Sequence, residues 1–183
     1  MPETGLDAFT GVLDGPMYVV TVAAGGERAG CLVGFASQCS IRPPRFVVWL
    51  STANRTYRVA RGATYLTVHV LRRDQHGLAE LFGGETGDRV DKLAQVSWRP
   101  GGHGSPVLSD VRTWFVGRIE GQIEGGDHVG FLLAPVEEGP PEGGGGNGDG
   151  NAEGIGDGDG PDGFDARLLR YSDADDIPPG HPA

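Results

Sequence analysis

The sequence of 183 residues predicts a mainly β protein, a closed or split β-barrel with two or three short helices. Three observations carry this. Short runs rich in β-branched and aromatic residues recur between turns rich in Gly, Pro and Asn. Helical patterning is confined to two short stretches. No Gly-x-Gly-x-x-Gly turn joins a strand to a helix, which disfavours a doubly wound nucleotide domain.

Residues 17–24 are the first strand, and Gly25-Gly26 supplies the tight turn a hairpin needs. Residues 28–33 answer it. Residues 45–51 are almost wholly apolar and follow Pro43-Pro44, which is tolerated at a strand start. Residues 65–71 alternate and form a fourth strand. Residues 112–120 and 128–136 are the fifth and sixth, joined across Gly121 to Asp127. Asn54 is placed to cap a helix running to Gly62, because its side chain can accept from a first-turn amide. Asp74 is placed likewise before residues 75–82, where Leu78, Leu81 and Phe82 share a face and Gly83-Gly84 stops the helix.

Composition divides the chain in three. Residues 1–138 read as the barrel domain. Residues 139–163 hold 12 glycines and almost nothing to bury, so they read as a flexible acidic linker. Their Gly-Asp-Gly-Asp-Gly pieces lack the apolar residues and closing glutamate of a calcium loop, and no metal is expected. Residues 164–183 read as a C-terminal strand with an extended tail. Net charge is −10, but residues 1–136 are balanced and the whole excess lies after them. A neutral body with an acidic tail disfavours nucleic acid and anionic membranes as partners. No apolar run approaches the roughly 20 residues of a membrane-spanning helix. The start, Met1-Pro2-Glu3-Thr4-Gly5, lacks the pattern of a signal peptide. Cys31 and Cys39 are too few for a disulfide framework and read as small buried hydrophobes. A cytoplasmic location is expected.

Three segments could carry chemistry. Residues 30–44 place small and hydroxylated side chains between two strands, where main-chain groups could meet the edge of a flat ligand. The same run is equally a packed turn. Ser51-Thr52 and Asn54-Arg55-Thr56-Tyr57 combine hydroxyls, arginines and free amides, which suits a phosphate; an ordinary helix cap reads the same way. Gly126-Asp127-His128 opens the sixth strand with a histidine able to orient a substrate or move a proton near neutral pH, or with a plain turn. His69, inside an alternating strand, reads as a satisfied structural group. His76 and His103 have no partner at metal spacing, and no Gly-x-Ser-x-Gly elbow marks a nucleophile.

The order of these segments resembles the flavin reductase-like family, which binds flavin mononucleotide on a split β-barrel. Gly30 through Pro44 stands at the family's small-residue run before an apolar strand. Ser51, Asn54 and Thr56 stand at its phosphate segment. Leu78-Ala79, Phe82, Lys92-Leu93, Trp98, Gly104-Ser105-Pro106-Val107-Leu108 and Gly126-Asp127-His128 follow in the family's order. The family often has Thr-Ala-Ser-Ser-Phe-Thr-Ser where this chain has Leu32-Val33-Gly34-Phe35-Ala36-Ser37-Gln38, with fewer hydroxyls.

The resemblance implies an NAD(P)H-dependent flavin reductase that passes hydride to FMN or FAD, with NADH or NADPH as co-substrate. It implies backbone contacts to the flavin ring from Gly34, Phe35, Ala36 and Ser37. Ser51, Asn54 and Thr56 would hold the phosphate, and His128 would stand at the reacting rings. A flavin-dependent monooxygenase is the implied recipient of reduced flavin. A non-reductase flavin-binding protein, either an electron carrier or a flavin-holding module, is the alternative, and a barrel with an empty pocket is a third. A homodimer is expected, because Trp49, Trp98, Trp114 and Phe115 exceed what one small barrel would bury.

Overall fold

The computed structural model describes residues 5–139 and 167–180. A single helical turn, α1 (Asp7–Thr10), precedes β1 (Tyr18–Ala24) and β2 (Glu27–Val33). Gly25 and Gly26 join the two strands at φ of 58° and 81°, a conformation that glycine adopts without steric cost. β3 (Ala36–Ile41), β4 (Pro44–Ser51), α2 (Arg55–Ala60), β5 (Tyr65–Val70) and α3 (His76–Gly84) follow. A small hairpin of β6 (Trp98–Pro100) and β7 (Pro106–Leu108) leads to two long strands, β8 (Thr113–Glu124) and β9 (His128–Gly139).

Seven strands form one antiparallel sheet in the order β2-β1-β5-β8-β9-β4-β3. The consecutive strands β2 and β3 therefore stand at opposite ends. The sheet curls so that Cys31 and Val33 of β2 meet Val48 and Leu50 of β4 in one core. This is the split barrel expected from the sequence. β1 is buried on both faces because successive side chains point opposite ways. Val20 and Val22 enter the barrel, whereas Val19 joins Leu71, Phe82, Leu108 and Leu169 in a second core beneath α3.

The β6–β7 hairpin docks through buried polar contacts. Thr21 Oγ1 donates to Pro106 O, Thr67 Oγ1 donates to Ser105 Oγ, and His69 Nε2 accepts from Leu108 N at 3.0 Å. His69 Nδ1 lies 2.9 Å from Val19 O, so both ring nitrogens are satisfied. Burial of this imidazole lowers its pKa to about 4. His69 is the structural group the alternation predicted.

Several expectations are corrected. Within the expected ligand segment, residues 36–41 form a strand the sequence did not show, β3, at the edge of the sheet. Its side chains are largely exposed, so it carries no apolar alternation to betray it. Cys39 is exposed on that edge, beside a register shift at residues 38–40, while Cys31 is buried as expected. Asp74 does not cap α3: its carboxylate pairs with Arg72 Nε at 3.1 Å, and Gln75 holds the cap position. The tryptophans form no exposed patch. Trp49 lies against Gly125 and Gly130, Trp98 beneath Arg28, and Trp114 beneath Arg99.

Residues 167–180 return to the body, where Leu168 and Arg170 make single antiparallel bridges to Arg72 and Pro16. From residue 140 onward the expected linker, with the first residues of the expected terminal strand, lies outside the described residues.

Candidate functional site

Strand pairing gathers most of the sequence-predicted site at one end of β4. Ser51, the last residue of β4, lies opposite His128, the first of β9. Thr52 donates from N (2.9 Å) and Oγ1 (3.1 Å) to Asp127 O, which ties the turn before β9 to the segment entering α2. Gly126 takes φ of 103° in that turn, a region other residues rarely adopt. On the opposite side of β4, Trp49 N donates to Phe35 O at 2.9 Å. Phe35 is 59% exposed, and its ring lies 5.4 Å from the His128 ring at 59°. Ser51, His128 and Phe35 are thus brought together, while Ala36 and Ser37 run on along β3 opposite Val48 and Val47.

The register decides what the β3 backbone can do. Trp49 N donates to Phe35 O, so in an antiparallel ladder the next pair, Ala36 and Val48, is a non-hydrogen-bonded one. The N–H and C=O of Ala36 therefore point away from β4. Since β3 ends the sheet, these groups face outward. A donor and an acceptor side by side on an edge strand can match the edge of a flat heterocycle.

His128 Nδ1 lies 2.8 Å from Asp127 Oδ1. The hydrogen bond and charge of His128 hold the Asp127 carboxyl below the usual carboxylate range. An ionised carboxylate there keeps a proton on Nδ1 and leaves Nε2 for other work.

The phosphate residues separate. Asn54 Oδ1 accepts from Thr56 N at 2.9 Å, which makes Asn54 the helix cap the sequence predicted. Thr56 is a correction. It is 1% exposed, so its side chain belongs to the core rather than to a ligand surface. Burial pushes the Cys31 thiol up to about 11, which makes it inert.

The spacing of residues did not reveal a cleft of about 390 Å³ in which Arg28, Arg55, Arg89 and Lys92 stand among Glu27, Asp88 and Asp91. Arg55 borders it through an ion pair with Glu27 at 2.9 Å. Lys92 is 5% exposed and donates to Phe82 O at 2.8 Å, and burial lowers its pKa. These cations come from three separate segments, so their meeting was not legible in the order of the chain. Arg55 follows Asn54 directly, which places the cleft beside the site on the far side of the start of α2. Among the described residues no three His, Cys, Asp or Glu side chains are placed to hold a metal. Among them, too, no helix is long and apolar enough to cross a membrane.

The described residues thus form a split barrel in which an exposed edge strand stands beside an aromatic–histidine pair. The chain belongs to the flavin reductase-like family: the family described as "Flavin reductase like domain" matches residues 10–147. It is 33% identical over 128 residues to a Rhizobium meliloti protein named "Probable flavin reductase", covering 70% of this chain and 40% of that one. It is 30% identical to the reductase component of a 4-nitrophenol monooxygenase of Rhodococcus opacus, covering 65% of this chain and 62% of that one. The chain thus spans less than two thirds of the length of these curated relatives. An FMN-binding protein of Thermus thermophilus shares the fold with a TM-score of 0.71 at 24% identity, covering 78% of this chain and 80% of that one.

Proposed function

We propose that the protein is an NAD(P)H-dependent flavin reductase that transfers hydride to FMN or FAD and supplies reduced flavin to a monooxygenase. The observation that carries this reading is the outward-facing Ala36 backbone beside Phe35 and His128, inside the stretch that matches the family. Relatives named as an NADH-dependent FMN reductase and as a monooxygenase reductase component support it.

The residues fit a flavin. Gly34 has no side chain, and the Met17 sulfur and the Tyr171 ring lie 3.4 Å and 3.6 Å from where a Cβ would be, so the main chain there is flanked by both. When bound, the flavin supplies an acceptor for hydride from nicotinamide. The protein's own task is positioning. Ala36 offers its N–H and C=O to the ring edge, and Gly34, Phe35 and Ser37 shape the surrounding surface. Ser51 and the capped start of α2 at Asn54 face the phosphate, and Arg55 and Arg89 add positive charge. Thr56 contributes by packing α2 rather than by touching the ligand. His128, held through Nδ1 by Asp127, presents Nε2 toward the reacting rings. No nucleophile is needed, because stacking two rings in near-attack geometry brings the reaction about.

The hydroxyl-poor run at residues 32–38 favours a second reading, a non-reductase flavin-binding protein. Anaerobic mixing separates the two. Bound flavin bleached by NADH or NADPH supports the reductase, whereas bleaching by dithionite alone supports the second reading.

A homodimer is part of the proposal, now on different grounds from the tryptophans. Leu6, Phe9, Val12, Leu13 and Ile41 are all more than half exposed, and β3 ends the sheet. Light scattering is expected to give about twice the chain mass of 19.2 kDa, and a value near the single mass overturns the dimer. A cytoplasmic site of action and a linker-separated C-terminal segment complete the proposal.

A further inference from the structure

The segment 167–180 lies beyond the stretch that matches the family, which ends at residue 147. Even so it is built into the body. Leu169 N donates to Leu71 O, Met17 N to Leu169 O, and Tyr171 N to Gly15 O, at 2.9 to 3.0 Å. Leu169 is fully buried in the second core. The Asp14 carboxylate accepts from Ser172 N (3.0 Å) and Ser172 Oγ (3.1 Å), and Arg73 pairs with Asp173. A segment anchored on both sides in this way holds its middle in one place.

That middle is Tyr171, which is 54% exposed although its neighbours are anchored. Its ring stands at Gly34, 3.6 Å from where a Cβ would be. Glycine at position 34 thus leaves an aromatic ring as the wall of the main chain that runs on into Phe35 and Ala36. A large aromatic face left in water beside bare backbone marks a place where a flat, partly apolar ring can pack.

We propose that Tyr171 is a positioning residue of the flavin site, closing the groove at Gly34 and packing its ring against the bound flavin. The C-terminal segment would then add to the site a wall that the matched domain does not itself contain. This inference rests on the flavin reading above.

Titration of the full chain with FMN, followed by flavin fluorescence and absorbance, tests both. The wild-type protein is expected to bind FMN and quench its fluorescence. Tyr171→Ala should raise Kd about three- to tenfold and lose part of the quenching, with the melting temperature unchanged. Tyr171→Phe should stay within about twofold of wild type, because the ring and not the hydroxyl does the packing. Ser172→Ala, which removes a hydroxyl contact to Asp14 but keeps the ring, should bind as wild type does. If wild type binds FMN and Tyr171→Ala binds equally well, the inference fails while the flavin reading stands. Equal weakening in Ser172→Ala and Tyr171→Ala assigns the effect to attachment of the segment and also overturns the inference. Absence of FMN binding by the wild type overturns the reading and the inference together.

Discussion

The Asp127 carboxylate accepts the His128 Nδ1 proton at 2.8 Å, in a turn that Thr52 ties to the start of α2. This pair holds the His128 ring beside Phe35. His128→Ala is expected to lower kcat/KM for the nicotinamide by roughly ten- to a hundredfold, the cost of lost positioning, with FMN affinity much less affected. Asp127→Ala should lower it by a smaller factor, since the ring remains but turns freely. Steady-state NADH oxidation at saturating FMN measures both. An unchanged rate in His128→Ala removes the histidine from the account.

His69 makes stability depend on pH. Its folded pKa lies near 4, below the ordinary 6.5, so between those values the unfolded chain binds a proton that the folded chain refuses. Stability from this source is complete above pH 6.5, falls as pH drops, and levels off below about 4. The full loss is about 3 kcal/mol. His69→Gln should begin less stable and show a flatter decline over the same range. Thermal unfolding across that pH window checks the slope.

Asn54 tests cap against ligand. Asn54→Ala should cost about 1 kcal/mol by freeing the Thr56 amide. Asn54→Asp keeps a cap oxygen and should hold the melting temperature, but its charge should weaken FMN binding if the phosphate lies where Ser51 and Arg55 place it. Unchanged FMN affinity in Asn54→Asp would move the phosphate away from α2.

Leu169 tests the attachment of the C-terminal segment. It is fully buried between β1 and the end of β5, and Leu169→Ala should destabilise the protein by about 2–5 kcal/mol. A change within error in denaturant unfolding would mean the segment is not part of the folded body.

The strands were legible where burial imposed a pattern. β1, β4 and β5 are apolar because both or nearly both of their faces are covered, and their limits agree with the sequence within a residue or two. β3 was hidden because an edge strand with exposed side chains has nothing to bury. The site was legible in part for the same reason. Ser51 and His128 could be placed in order along the chain, but their meeting depends on the β4–β9 register, which no local pattern encodes. Thr56 looked like a ligand because a hydroxyl at a helix start reads alike whether it faces solvent or the core. Arg55, Arg89 and Lys92 come together only through the packing of α2 and the segment after α3 against β2. Tyr171 stayed invisible because its partner is a glycine 137 positions away.

The central claim is that this barrel binds a flavin and lets a nicotinamide reduce it. The most direct measurement is the absorbance of FMN-loaded protein under anaerobic conditions as NADH, and separately NADPH, is added. The yellow band is expected to bleach with at least one of them, in proportion to the nucleotide added and faster than free FMN does. A protein that takes up no FMN, or whose bound FMN stays yellow with both nucleotides, contradicts it.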